Sequence, residues 1–477
     1  MASAQSLCSC SQVKHHSPIS IKCPLQKTVR IINKRSHLLR CQAGKLENFA
    51  EKREKRKLVI LIAGGGIGGL VLALAAKHRG HEVKVFEKDL SSVRGEGRHR
   101  GPIQLFSSAL SLLEDIDGNV AKQIMEAGRV IGNRTNGLAD GLSGEWFIKF
   151  DLLTPAIKRG LPLTLGICRM ALQDILVNAV GPNIVRNKSK VVDFMQDSSK
   201  VRVILENGAQ YDGDILIGAD GIWSQVRSKL FGWQEAKYSG FTCYSGLANY
   251  VPPYIDTIGY RVFLCLNQYF VASDVGNGKM QWYAFHGEPP ASSDIYGADK
   301  KKRLLDLFGN WCKEVTTLIS ETQENMILQR DIYDRDMLNT WGLGRVILLG
   351  DAAHPMQPNL GQGGCMAIED CYQLIVELDK VDGLDYGVAG SNEVVSALRR
   401  YEKKRIERVR IVHAASRIPS KMLVGYRPYI QLNFFPLSEN LTKSTRIKNP
   451  LVHLVQAILH FTFPQFLDWM IEGHGLR

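Results

Sequence analysis

The first residues with chemistry in their spacing are glycines: Gly64-Gly-Gly66-Ile-Gly-Gly69, with Glu87 eighteen residues beyond. In such a run Gly64 permits a tight turn, Gly66 lets a pyrophosphate approach the backbone, and Gly69 allows a helix to pack close to a strand. The acid accepts hydrogen bonds from ribose hydroxyls, which disfavours a 2′-phosphate there. The elements that must hold these residues are legible around them. Leu58-Val-Ile-Leu-Ile-Ala63 is short, apolar and β-branched, and reads as a buried parallel strand. Leu70 to Arg79 reads as a helix stopped by Gly80, and Val83-Lys-Val-Phe86 as the strand that delivers Glu87. Strand, glycine turn, helix and acid together form a dinucleotide fingerprint, with free helix N–H groups facing the phosphates.

Two later blocks follow the same plan. Asp214-Ile-Leu-Ile-Gly-Ala-Asp220-Gly221 runs from a strand into a turn and then a helix. Arg345-Val-Ile-Leu-Leu-Gly350-Asp351 is another strand, followed by a long loop carrying His354, Pro358, Gly361, Gly363 and Gly364. A helix from Cys365 to Leu378 comes next, its N-terminal N–H groups a ready stabiliser for negative charge. Between Tyr238 and His286 lie twelve aromatics in 49 residues, about three times the chain average, in strand-like runs with a hairpin at Gly276-Asn-Gly278. Such a sheet suits a large apolar substrate held by dispersion, or equally a plain β-core with aromatic filling. The candidate substrate contacts are Tyr244, Phe263, Tyr269, Trp282 and Phe285. Cys168, Cys243, Cys265, Cys312, Cys365 and Cys371 show no CxxC pair or zinc-ligand spacing, so no metal site is expected.

In order and content the three blocks resemble the flavoprotein monooxygenases built like p-hydroxybenzoate hydroxylase. The resemblance implies FAD, with the first block on its ADP half, Asp220 and Gly221 near the pyrophosphate, and Gly350-Asp351 on the ribityl chain. It implies Arg100, Gln104 and Arg169 around the flavin, and Pro358 with the Gly361–Gly364 turn beside the isoalloxazine. The cofactor then carries the chemistry, so no acid–base pair is expected and His354 is read as loop structure. Longer stretches, among them Asp256 to Leu264, Gly278 to His286, Arg330 to Arg335 and Met356 to Asp370, closely resemble the plant zeaxanthin epoxidase family. That similarity runs from about Lys57 to the end. It implies epoxidation of the β-ring double bond of xanthophylls in plastids, zeaxanthin to antheraxanthin and violaxanthin, upstream of abscisic acid. O2 is the implied co-substrate, with electrons from NADPH directly or through ferredoxin. The family's forkhead-associated domain has no counterpart in the chain, and Cys265-Leu-Asn267 departs from the family strand. A short form or a paralogue is therefore expected. Two rivals stay open: a hydroxylase of small aromatic compounds, and a flavin- and pigment-binding paralogue without turnover.

With 477 residues, 45% hydrophobic and 22% charged, the chain has the composition of a large globular protein, not a disordered or fibrous one. The expected class is α/β: a Rossmann-like FAD-binding domain from residues 57–230 and 331–385, a mixed sheet domain over 231–330, and a helical region over 386–477. Residues 117–162 and 289–300 read as the loosest connections. Residues 1–44 hold seven Lys/Arg, seven Ser and no acid, the composition of a plastid transit peptide. More than half of the net charge of +13 lies there, so the basic pI is weak support for nucleic-acid binding and none is expected. No window reaches the ~18 apolar residues of a spanning helix. Leu451 to Phe463 is apolar at 451, 454, 455, 458 and 459, a helix that packs on its own core or lies on a membrane behind Arg446 and Lys448. The basic stretch Arg399 to Arg410 reads as a solvated helix face.

Overall fold

The computed structural model describes residues 57–90, 101–290, 299–381, 388–424, 426–427, 429–432 and 445–473. The expected transit segment and Arg100 lie outside them. In chain order, β1 (Val59–Ala63), α1 (Ile67–His78) and β2 (Glu82–Phe86) come first. β3 (Pro102–Leu105), β4 (Thr135–Asp140), β5 (Trp146–Phe150), β6 (Leu165–Cys168) and α2 (Arg169–Val180) follow, then β7 (Ile215–Gly218). Next are β8 (Lys237–Ala248), β9 (Ile258–Cys265), β10 (Gln268–Asp274), β11 (Met280–Gly287), α3 (Lys300–Phe308), α4 (Lys313–Ser320) and β12 (Leu328–Asp334). β13 (Val346–Leu348), α5 (Gly363–Leu378), α6 (Val388–Val424) and α7 (Pro450–Glu472) complete the frame.

β13, β7, β1 and β2 lie side by side and parallel in a six-stranded sheet, with the short strands Gly342–Leu343 and Val185–Arg186 at its edges. β1, β7 and β13 are apolar on both faces, as strands covered by helices on both sides must be, whereas β2 carries Glu82 and Lys84 on one of its faces. The three motif blocks therefore leave the carboxyl ends of three neighbouring strands, the end of an open α/β sheet where ligands bind. The expected α/β class is what the chain adopts.

The second sheet has seven strands in the order β12-β8-β11-β10-β9-β4-β5, antiparallel except where β4 meets β9. The hairpin at Gly276-Asn-Gly278 joins β10 to β11, all three residues having positive φ. The sheet takes β4 and β5 from the segment 117–162, whose composition suggests a loose connection. Gly137 explains the misleading composition: a Cβ there would collide with the Ile148 carbonyl across the β4–β5 pair. Its glycine permits close strand approach rather than looseness.

α6 packs along α5, and here the basic stretch departs from the expected solvated face. Arg405 and Arg408 are buried: Arg405 bonds Asp370 and Glu369 at 2.8 Å each, and Arg408 holds Glu369 at 2.7 Å. Arg400 and Lys404 reach Glu377 at 2.8 Å. The carboxylates all sit on α5, so a charge run that reads as water-facing clamps two helices together. α7 splits along its length. Its second half packs Leu467, Met470 and Ile471 into the core, while Leu451, Leu454, Ile458 and Phe461 of the first half are exposed.

Candidate active site

The cradle at the carboxyl ends of β1, β7 and β13 is a cavity of 440 Å³ lined by Gly64, Gly66, Glu87, Arg169, Asp220, Gly221, Gly350, Asp351, Gly363 and Gly364 among others. The three glycines divide their roles as the fingerprint requires. Gly64 has φ +104°, and a Cβ there would strike the Ala219 backbone. At Gly69 it would strike the Gly64 carbonyl, so that glycine sets the helix–strand packing. At Gly66 a Cβ would meet no protein atom within 4 Å. Only open cradle stands over Gly66, the space a pyrophosphate needs. α1 starts there without a side-chain cap, leaving its first N–H groups for a ligand.

Several buried polar atoms around the cradle lack a protein partner: Asp220 Oδ1, Arg169 Nε and Gln173 Oε1. Asp220 Oδ2 accepts from the Gln225 N–H at 2.8 Å, and burial pushes its carboxyl up. Burial likewise depresses the Arg169 guanidinium, against the pull of Tyr283 and, more weakly, Asp351. Unmatched polar atoms on this scale suit a polar ligand such as FAD. Glu87 is more occupied than expected, since its Oε2 accepts from the Gly65 N–H at 2.7 Å and its Oε1 from the Asp89 N–H at 2.9 Å. It holds the glycine loop as well as facing the cradle. Gln173 was not among the expected contacts; its signal was the four-residue step from Arg169, one helical turn on the same face.

A second, apolar cavity of about 720 Å³ lies under β4, β5, β9 and β10 and is closed by α6 and α7. The segment from Pro358 to Gly364 runs between the two. Asn359 and Leu360 line the apolar chamber, while Gly363 and Gly364 line the cradle. Pro358 opens a short 3-10 turn ended by Gly361 at φ +64°, and Gln104 lies beside that glycine. His354 stands apart from both cavities: it is fully buried, with Nε2 2.6 Å from Asp370 Oδ2. Burial would raise the Asp370 pKa, but His354 and Arg405 hold it down.

The five aromatic candidates do not share a face. Tyr269 and Phe285 stack at 4.0 Å on the side of the Pro358–Gly364 segment, and the Tyr269 hydroxyl donates to Asn359 Oδ1 at 2.6 Å. Tyr244, Phe263 and Trp282 are fully buried on the opposite face, in a core with Leu304, Phe308 and Leu318 of α3 and α4. These three are structural, which corrects their expected place on the substrate. The physical reason is the two-residue period of a strand: Phe270 and Trp282 point away from the face that Tyr269 and Phe285 occupy.

Residues 316–414 match the family model of an FAD binding domain. The fold matches that of Klebsiella pneumoniae HpxO complexed with FAD and uric acid, at TM-score 0.72 and 22% identity over 90% of this chain and all of that one. The chain is also 55% identical over 424 residues to the chloroplastic zeaxanthin epoxidase of an Oncidium hybrid cultivar, and 55% identical over 422 residues to that of Oryza sativa subsp. japonica. The chain is thus similar to plant zeaxanthin epoxidases over most of its length. The matches cover 89% and 88% of it, and it spans 64% of the length of each of these relatives. The stretch that matches the FAD binding domain model includes Gly350, Asp351, Gly363 and Gly364 of the cradle.

Proposed function

We propose that the chain is an FAD-dependent monooxygenase that epoxidises the β-ring double bond of xanthophylls in the chloroplast, taking zeaxanthin to antheraxanthin and violaxanthin upstream of abscisic acid. The observation that carries this reading is the junction of a large apolar chamber with an FAD cradle across the Pro358–Gly364 segment. Reduced FAD supplies the activation of O2, of which one atom goes to the alkene and the other leaves as water. The chain's own part is to bind, orient and keep dry. Gly64, Gly66, Arg169, Asp220 and Asp351 would hold the cofactor, and the N-terminal N–H groups of α5 would face negative charge on it. Tyr269, Val262, Leu264 and Phe150 shape an apolar wall for the polyene.

An alkene gives up no proton when it is epoxidised, whereas a phenol must be deprotonated to be hydroxylated. Among the described residues lining the chamber there is no Asp, Glu or His, and its two charged members, Lys421 and Arg427, are cations on the α6 side. This favours the epoxidase over the phenol hydroxylase. Electrons come from NADPH, directly or through ferredoxin. The exposed apolar row on α7 rests on a membrane surface, where so apolar a substrate is dissolved. The test offers zeaxanthin in lipid and salicylate side by side to the FAD-loaded protein with NADPH, ferredoxin and its reductase. Chromatographic loss of zeaxanthin alone is expected; loss of salicylate alone overturns the reading.

A further inference from the structure

The chamber wall is apolar apart from a few groups, and most of those are already engaged. The Tyr269 hydroxyl is taken by Asn359, and Thr462 bonds the Ile458 carbonyl at 2.9 Å. Tyr260 is different: it lines the chamber, and among the described residues nothing pairs with its hydroxyl. Burial raises its pKa, so the phenol stays protonated and able to donate. Directly across the parallel β4–β9 pairing from Tyr260 stands Asn136, also a wall residue and wholly buried. Its Nδ2 donates to the Ile131 and Arg134 carbonyls at 2.8 Å each. Two carbonyl partners fix which end of the amide is nitrogen, so Oδ1 is left as a buried acceptor without a donor. The register shifts at Gly259, and Asn136 Oδ1 lies against that glycine, closed off from the chamber, which leaves the Tyr260 hydroxyl as the group that faces a ligand.

We propose that Tyr260 forms a subsite for the hydroxyl of a 3-hydroxylated ring end, its own hydroxyl donating to that oxygen. The inference rests on the epoxidase reading and adds what tells a hydroxylated ring from a bare one. Its place in the chamber fits the reaction. Tyr260 neighbours Tyr269 and Tyr283, which are tied to Asn359 and to the Pro102 carbonyl. That is the end of the chamber next to the cradle. The carbon bearing the hydroxyl is two bonds from the ring double bond, so holding the one locates the other. A ring without the hydroxyl leaves the Tyr260 hydroxyl unpaired, the arrangement by which sites reject an analogue lacking a polar group.

The test compares binding of zeaxanthin and β-carotene, presented in detergent micelles to the FAD-loaded protein, by quenching of its tryptophan fluorescence. The wild type should prefer zeaxanthin. Tyr260→Phe should weaken zeaxanthin about tenfold and leave β-carotene unchanged, with the FAD content intact. A merely structural tyrosine would weaken both pigments together, and that result, or an unchanged preference, overturns the proposal. The wild type with the dimethyl ether of zeaxanthin, which needs no substitution, should show the same loss. If the wild type binds both pigments equally, the subsite falls while the epoxidase reading stands; if it binds neither, both fall.

Discussion

At the residue scale, the glycines of the cradle separate two kinds of necessity. Gly66 is open to the ligand side and touches nothing, whereas Gly69 is closed by the Gly64 carbonyl. Gly66→Val should therefore fold with a melting temperature near that of the wild type yet weaken FAD by about 100-fold or more, roughly 2.7 kcal/mol. Gly69→Ala should lower the melting temperature itself. Calorimetry beside flavin absorbance checks the pair, and a Gly66→Val protein that purifies with full flavin removes the pyrophosphate from that turn. Asp351→Ala should likewise weaken FAD retention, measured by titration of the apoprotein. These residues are legible in the sequence because a glycine turn between an apolar strand and a helix has little else to do. Gln173 is legible only through its four-residue step from Arg169, since a glutamine on a helix by itself carries no mark of the cavity it faces. Glu87 is legible only as a ribose contact, since its bonds to the Gly65 and Asp89 N–H groups depend on how the chain folds back.

At the scale of elements, the aromatic strands show what composition conceals and alternation reveals. Enrichment marks the sheet, but each strand sends alternate side chains to opposite faces. Trp282, whose Nε1 donates to Thr322 Oγ1 at 2.9 Å, holds the sheet to α3 and α4. Trp282→Ala should cost about 3–5 kcal/mol of stability in chemical denaturation and act on pigment binding only through that loss. Val262→Trp, on the chamber face, should do the reverse, blocking pigment while FAD remains bound. Equal loss of pigment affinity in a well-folded Trp282 variant would contradict the assignment of faces. The α5–α6 clamp gives a pH signature. Burial alone would raise Glu377, but hydrogen bonds from Lys380, Lys404 and Arg400 prevail and bring it from 4.5 down to about 2. A carboxyl depressed on folding stabilises the native state above its unfolded pKa, and that contribution fades as the pH falls from about 4.5 towards 2. Glu377→Gln should remove about 1–2 kcal/mol at pH 7, discounted for its half-exposed partners, and flatten the acid limb of the stability curve. An unchanged acid limb would mean the cluster does not hold the helices.

At the scale of the whole chain, the order of the three motif blocks is legible from residue types and spacing. Strands β1, β7 and β13 lie next to one another although their blocks are more than a hundred residues apart in sequence. The long-range partners are harder to see. Nothing local in β4 announces that it joins β9, and the Arg399 to Arg410 run looks water-facing until Glu369, Asp370 and Glu377 are brought against it. α7 combines both alternatives that its sequence allows, with its second half in the core and its first half bare. Among the described residues no helix is long and apolar enough to cross a membrane. Changing Leu451, Leu454, Ile458 and Phe461 together to Ser should abolish sedimentation with anionic liposomes and leave FAD binding intact. Continued sedimentation would free that face from the membrane role. The central claim is that an oxygen atom from O2 is delivered to a ring alkene held in the chamber, and its most direct test is product mass under oxygen-18 gas. FAD-loaded protein supplied with NADPH, ferredoxin, its reductase and zeaxanthin in lipid should yield products carrying one or two labelled oxygens. Oxygen consumption that ends only in hydrogen peroxide, with zeaxanthin recovered unchanged, would contradict it.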